Sequence, residues 1–305
     1  MATFRPFAAL RPTKELAKQV AALPYDVVTR KEAEELGKEN PYSFLHVDRA
    51  EIDLGPAVDP YSSKVYEKAR DNLERMKKEG VYQKDSVPCY YIYQQQMGEY
   101  IQTGLVGCAS IDDYLNHVVK RHELTREEKE EDRIRHVDTC DANTGPIFLT
   151  GRFSDELIDL MDHWMTVHEA EYDFQEEDGI FHRVWKIQDP EAIKSIWKMT
   201  GQISSFYIAD GHHRAASAVK VGRKRRQEHP DYTGEEEFNY FLSVLFPCRR
   251  MKILPYNRLV KDRNGMDEKT VLSRVKENFE LLYFPGLPCK PTERHCFGMY
   301  MGGQW

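Results

Sequence analysis

One stretch constrains this chain more than any other: Phe206-Tyr-Ile-Ala-Asp-Gly-His-His-Arg-Ala-Ala-Ser-Ala218. Four apolar or aromatic residues run into Asp210-Gly211. His212, His213 and Arg214 then open a run of strong helix formers. That order predicts a buried strand, a tight turn at glycine and the start of a helix. A helix start carries backbone N–H groups without intrahelical partners, and its dipole favours negative charge. Glycine lets an anion approach the backbone closely. Arg214 adds a two-pronged grip suited to phosphate. Asp210, Gly211, His212, His213 and Arg214 are therefore candidate phosphate-binding residues, and phosphate sites usually mean nucleotides or phosphorylated metabolites. The same residues also satisfy a plainer reading, an Asp-Gly turn followed by an exposed polar cap. Local sequence does not separate the two.

Composition narrows the partners. A chain of 305 residues with 41% hydrophobic content has room for one large or two ordinary domains and for a sizeable core. Its net charge of −7 argues against a general nucleic-acid binder. The one basic run, Lys220-Val-Gly-Arg-Lys-Arg-Arg226, reads as the solvated end of the helix after the motif. Six cysteines (Cys89, Cys108, Cys140, Cys248, Cys289 and Cys296) include no Cys-x-x-Cys pair, so they read as free thiols in a reducing cytosol. The first residues lack the apolar core of a signal peptide, and no segment approaches the ~18 apolar residues of a membrane span. A soluble, cytoplasmic protein is expected.

Periodicity predicts the elements around the motif. Lys14 to Ala22 has helical spacing, and Leu23 to Val28 reads as extended with a turn. Thr29 caps a helix to about Gly37, with Glu32 completing a capping box. Asn40 to Asp48 reads as a strand. Tyr61 to Gly80 is an amphipathic helix with Val65, Ala69, Leu73 and Met76 on one face. Pro88 to Gln95 and Tyr100 to Ala109 form a hairpin, and Asp112 to Lys120 is ambiguous. Leu124 to Asp141 is a charged, exposed helix beginning near Glu123. Gly145 to Gly151 is a short strand, and Ser154 to Ala170 a helix. Glu171 to Gln175 and Ile180 to Ile187 form a second hairpin. Asp189 to Thr200 is a helix with Pro190 in its first turn. Phe238 to Phe246 is a central strand, Pro255 to Val260 another strand, and Asp267 to Phe279 a helix. His295 to Trp305 reads as one hairpin strand, a Gly-Gly turn and the start of a partner, so the natural fold is expected to run further.

Several ordered motifs resemble a known family. Phe4-Arg-Pro-Phe-Ala-Ala-Leu-Arg-Pro12, Leu23-Pro-Tyr-Asp-Val-Val28, Asn40-Pro-Tyr-Ser-Phe-Leu-His-Val47, Arg121-His-Glu-Leu-Thr125, Lys129-Glu-Glu-Asp-Arg133, Gly145-Pro-Ile-Phe148, Ala209-Asp-Gly-His-His-Arg214 and Pro291-Thr-Glu-Arg-His295 look like the bacterial domain-of-unknown-function family numbered 1015. A shorter likeness, His122-Glu123 followed by Asp210 to Arg214, resembles the free serine kinases of the ParB/sulfiredoxin superfamily. It implies an α+β fold with a mixed sheet of ParB/sulfiredoxin type and helices, decorated by an N-terminal α/β region at residues 1–115. Residues 116–305 would be the nucleotide-binding region, with an insertion at about 151–200. The resemblance makes Glu123 the general base, beside His122 as an orienting residue. It makes Asp210 to Arg214 the loop that holds the phosphates of ADP or ATP. The acceptor would be the hydroxyl of L-serine or a similar small metabolite. Magnesium usually bridges such phosphates with one or two carboxylates, and Asp210 is its candidate ligand.

Other assignments fit less well. Sulfiredoxin-like reductases carry a reactive cysteine in the corresponding loop, where this chain has His212. ParB-like clamps carry an arginine-rich loop that is missing here. A hydrolase with His212 and His213 on one metal is awkward, because adjacent helical residues point about 100° apart. Glu123 is also an acid that suits a helix start for the dipole alone. Thr292-Glu293-Arg294 reads as a solvated loop. The serious rival is a non-catalytic nucleotide sensor or regulator on the same fold.

Overall fold

The computed structural model describes residues 2–254, 257–284, 288 and 290–305. The chain divides into two units, Met1–Met251 and Lys252–Trp305.

The first unit opens with β1 (Phe4–Arg5) and β2 (Leu10–Pro12), then α1 (Ala17–Val20), α2 (Arg30–Gly37), α3 (Leu45–Asp48) and α4 (Ser63–Lys78). The capping box of α2 forms as its sequence predicts: the Thr29 hydroxyl accepts from the Glu32 amide at 3.3 Å, and the Glu32 carboxylate accepts from the Thr29 amide at 2.7 Å. α4 buries Val65, Ala69, Leu73 and Met76, the face set by their spacing. The strand expected over Asn40 to Asp48 is a turn and a short helix instead. Asn40 Oδ1 accepts from the Tyr42 amide at 3.2 Å, and Ser43 Oγ from the Leu45 amide at 3.3 Å. Such local bonds compete with extended pairing.

The sheet carries β4 (Tyr90–Met97), β5 (Tyr100–Ser110), β6 (Val119–Lys120), β7 (Ile147–Gly151), β8 (Tyr172–Gln175), β9 (Phe181–Ile187), β10 (Phe206–Asp210) and β11 (Tyr240–Pro247); β3 (Tyr82–Lys84) pairs with β2 apart from it. Its order is β6-β10-β7-β11-β5-β4-β9-β8, with β1 joined to β5, giving nine strands. Both predicted hairpins, β4–β5 and β8–β9, are antiparallel pairs. β11 is central, parallel to β7 and antiparallel to β5. Strands before and after residue 115 thus share one sheet. The fold is α+β, with a large mixed sheet.

The helices of this region are α5 (Ile111–Leu115), α6 (Glu127–Cys140), α7 (Asp155–Val167), α8 (Pro190–Thr200) and α9 (His212–Glu228). The main core gathers Phe4, Tyr90, Leu105, Leu149, Phe206 and Phe241, each at most 1% exposed. Burying a side chain of this size stabilises by roughly 1.5–3 kcal/mol relative to exposure. Phe206 and Ile208 face this core, whereas Tyr207 between them is half exposed. The motif strand is therefore covered on one face only. α9 buries small residues on several sides, Ala215, Ala216, Ser217 and Ala218 among them. At Gly222 a Cβ would lie 2.4 Å from the Phe238 carbonyl oxygen, so only glycine permits this approach.

α6 corrects the expectation of an exposed charged helix. It packs against both α4 and α9, and it buries Glu130, Arg133, His136 and Cys140. The buried face is polar, so an apolar stripe could not reveal it. Lys220 pairs with Glu130, and Arg133 with Asp132 at 2.8 Å. His136 Nε2 lies 2.9 Å from the Val47 carbonyl oxygen. Four cations of the basic run on α9 have carboxylate partners, while Lys220 and Lys224 stay exposed. Lys224 and Arg225 meet Asp138, and Arg226 meets Asp112 at 2.7 Å.

The second unit contains α10 (Glu268–Lys276), whose start is capped by Asp267 Oδ1 accepting from the Thr270 amide at 2.8 Å. None of its described residues is buried. Met301 and Gln304 form a bridge around the Gly302-Gly303 turn, where both glycines have positive φ. Of the strand expected over Pro255 to Val260, Pro255 and Tyr256 lie outside the described residues, and residues 257–260 form no strand. Cys289 also lies outside them; the other five cysteines are free thiols.

Candidate functional site

β6 and β10 run parallel, with Val119 opposite Phe206 and Lys120 opposite Tyr207. Both strands therefore leave the sheet at the same end. This register brings His122 and Glu123 to the loop at Asp210–Arg214, although some ninety residues separate them in sequence. Glu123 Oε2 lies 3.4 Å from His212 Nδ1. The His122 and His212 rings meet edge to face, with centroids 4.5 Å apart. The Arg126 amide donates to His213 Nε2 at 3.0 Å. Glu123 does not begin the charged helix, as the sequence suggested. α6 starts four residues later, at Glu127, because residues 121–126 follow the β6 exit and are tied to α9 first.

At the motif the strand, turn and helix form where the sequence places them. Gly211 has φ +89°, a left-handed conformation that disfavours any other residue. It is the N-cap of α9, and its first turn has neither a side-chain cap nor an acidic residue. The amides there are left for an anion or for water. Arg214 is already engaged. It donates through Nη1 to the Pro146 carbonyl at 2.5 Å and through Nη2 to Asp210 Oδ2 at 2.6 Å. It thereby ties the end of β10 to the entry of β7. The Arg214 side chain is 17% exposed and that of Asp210 is 66% exposed.

His212 is almost wholly buried, at 4% exposure, and its Nε2 has no hydrogen-bond partner. Burial, and next the neighbouring His122, push its pKa below the usual histidine value, against the opposing pull of Glu123 and Asp210. It is a neutral ring near pH 7. Glu130 supports the α6–α9 contact: its carboxylate accepts from Thr125 Oγ1 at 2.5 Å, and the Ser217 hydroxyl donates to its carbonyl at 3.1 Å. Burial raises the Glu130 pKa, but the Lys220 and Thr125 hydrogen bonds outweigh it and hold the carboxyl below its ordinary value.

Two residues beside the site escape a residue-by-residue reading. The Arg133 guanidinium sits 4.0 Å from the centroid of the Tyr25 ring. Burial pushes the Tyr25 phenol up, while Arg133 and Arg214 pull it down. The available signal was that Tyr25 and Arg133 each fall inside a motif of the family resemblance. A concavity of about 540 Å³ lies elsewhere, between α7 and β9, and no motif residue lines it. Its lining charges are paired, Arg183 with Asp173 at 3.1 Å and Asp162 with Arg250, outside the lining, at 2.6 Å.

Fold and site together define an α+β protein in which a His-Glu loop is fastened to a glycine-initiated helix. The chain belongs to the family described as "Protein of unknown function (DUF1015)", which matches residues 4–305. No curated protein and no solved structure gives a significant match. Among the described residues, no group of three or more His, Cys, Asp or Glu is arranged to hold a metal ion, and no helix is long and apolar enough to cross a membrane.

Proposed function

We propose that this protein is a nucleotide-dependent kinase for a small hydroxylated metabolite, with free L-serine as the first candidate, on a sheet of the ParB/sulfiredoxin type. The observation that carries the reading is the 3.4 Å contact between Glu123 and His212, which sets a carboxylate beside the uncapped start of α9. The α9 amides and Arg214 would hold the terminal phosphate of ADP or ATP. Glu123 would take the proton of the acceptor hydroxyl. That oxygen bonds to the terminal phosphorus as the bond from phosphorus to the leaving nucleotide oxygen breaks. The leaving group is AMP from ADP, or ADP from ATP. Asp210 fits magnesium only as a single-carboxylate ligand, since one oxygen is shared with Arg214 while the side chain stays exposed. The rest of the shell would be phosphate oxygens and water. Magnesium would supply charge neutralisation on the phosphates. We assign the protein to the cytoplasm, with no nucleic-acid partner.

A non-catalytic nucleotide sensor is the second reading. It keeps the phosphate grip of the α9 amides and Arg214 and drops the base, since the Glu123 carboxylate already faces His212 Nδ1 at 3.4 Å. Incubating the protein with magnesium, ADP or ATP and L-serine separates the two. Phosphoserine formation supports the kinase. Nucleotide binding without turnover of any small hydroxylated acceptor supports the sensor, and absence of nucleotide binding defeats both.

A further inference from the structure

The two histidines of the motif face the 121–126 loop through different ring atoms. His213 uses Nε2, which accepts from the Arg126 amide at 3.0 Å. An accepting Nε2 carries no proton, so the proton of the neutral ring sits on Nδ1. His212 turns Nδ1 towards Glu123 Oε2 at 3.4 Å, while its Nε2 is buried without a partner. A bare buried lone pair costs less than a buried N–H without an acceptor, and a carboxylate beside Nδ1 calls for a donor. His212 thus also carries its proton on Nδ1. The His122 ring packs edge to face on His212.

We infer that His212 and His213 are positioning residues that clamp the 121–126 loop, His213 holding its backbone and His212 holding the Glu123 carboxylate. Their side chains are occupied by the loop, so phosphate is left to the backbone amides and Arg214. The functional consequence rests on the kinase reading above; the clamp itself does not.

Isosteres test it. Asparagine places its amide N–H near the position of a histidine Nδ1, and glutamine reaches the position of Nε2. At position 212 the needed group is a donor at Nδ1, so the kcat of His212→Gln should fall roughly 10–100-fold below that of His212→Asn. At position 213 the needed group is an acceptor at Nε2, so the order reverses, with His213→Asn below His213→Gln. The nucleotide KM should match within each pair. The same rank order at both positions, or differences confined to the nucleotide KM, would overturn the clamp.

A second measurement needs no activity. In the ligand-free protein, nitrogen-15 NMR should find both rings protonated on Nδ1. The Arg126 amide should exchange slowly in wild type and in His213→Gln, and fast in His213→Asn. Equal exchange in all three proteins, or an Nε2-protonated His213, overturns the proposal. If these spectra come out as expected while wild type makes no phosphorylated product, the clamp stands and the kinase reading falls.

Discussion

The Arg214 guanidinium and the Asp210 carboxylate are joined at 2.6 Å across the Gly211 turn. The pair closes the loop on itself, four residues apart, at the point where β10 becomes α9. A phosphate arriving there meets a guanidinium already oriented by a carboxylate and by the Pro146 carbonyl. Pre-orientation lowers the entropy cost of gripping an anion, but the Asp210 charge opposes it.

Arg214→Ala should therefore weaken nucleotide binding by about 1.5–3 kcal/mol through loss of a charge-assisted contact. Titration calorimetry with ADP and ATP measures it. Asp210→Asn should weaken binding less, because loss of the proposed magnesium ligand is partly offset by removal of a negative charge that competes with phosphate, and the arginine stays in place. Equal affinity of wild type and Arg214→Ala would remove the arginine from the binding site.

Glu123→Gln keeps the size of the side chain and removes the base. Turnover should fall roughly 10²–10⁴-fold. Nucleotide affinity should hold, since the role proposed for the carboxylate is on the acceptor and not on the nucleotide. Single-turnover assays alongside calorimetry give both numbers. Full activity in the variant would eliminate Glu123 as the base.

Stability should depend on His46. Its Nδ1 faces Asp53 Oδ1 at 2.8 Å, and its Nε2 lies 3.1 Å from the carbonyl oxygens of Gly37 and Asn40. Acceptors at both ring nitrogens favour the imidazolium. The Asp53 hydrogen bond is the largest cause raising its pKa above 6.5, with burial opposing. A raised folded-state value gives stability that is complete below the unfolded pKa, near 6.5, and is lost as pH rises through the folded one. Asp53 behaves oppositely: its pKa is lowered below 3.8, so its contribution fades only in acid, as pH falls through the folded value. From pH 6 to pH 9 the urea midpoint of wild type should fall relative to that of His46→Gln. Parallel curves would show that the ring is neutral in the folded protein.

Much of the fold was legible because it depends on spacing within short windows. The capping box at Thr29, the apolar face of α4, the two hairpins and the strand–glycine–helix unit at Phe206 to Ala218 each carry their signal locally. Asn40 to Asp48 misled because Asn40 and Ser43 side chains bond to nearby amides, which residue-type preferences for strands do not register. The buried polar face of α6 was invisible for a related reason. Glu130, Arg133 and His136 read as solvated until Lys220, Asp132 and the Val47 carbonyl are known to face them.

Short-range spacing thus accounts for most of the local elements, for the glycine turn at position 211 and for the chemical types available at the motif. The tertiary structure alone decided what those types face. Parallel pairing of β6 with β10 delivers Glu123 to His212. Antiparallel pairing of β10 with β7 delivers Pro146 to Arg214. Register between distant strands is set by the burial of whole sheet faces, with Phe206 and Ile208 inward and Tyr207 outward. That energy is shared over the entire core, so no short window of sequence records it.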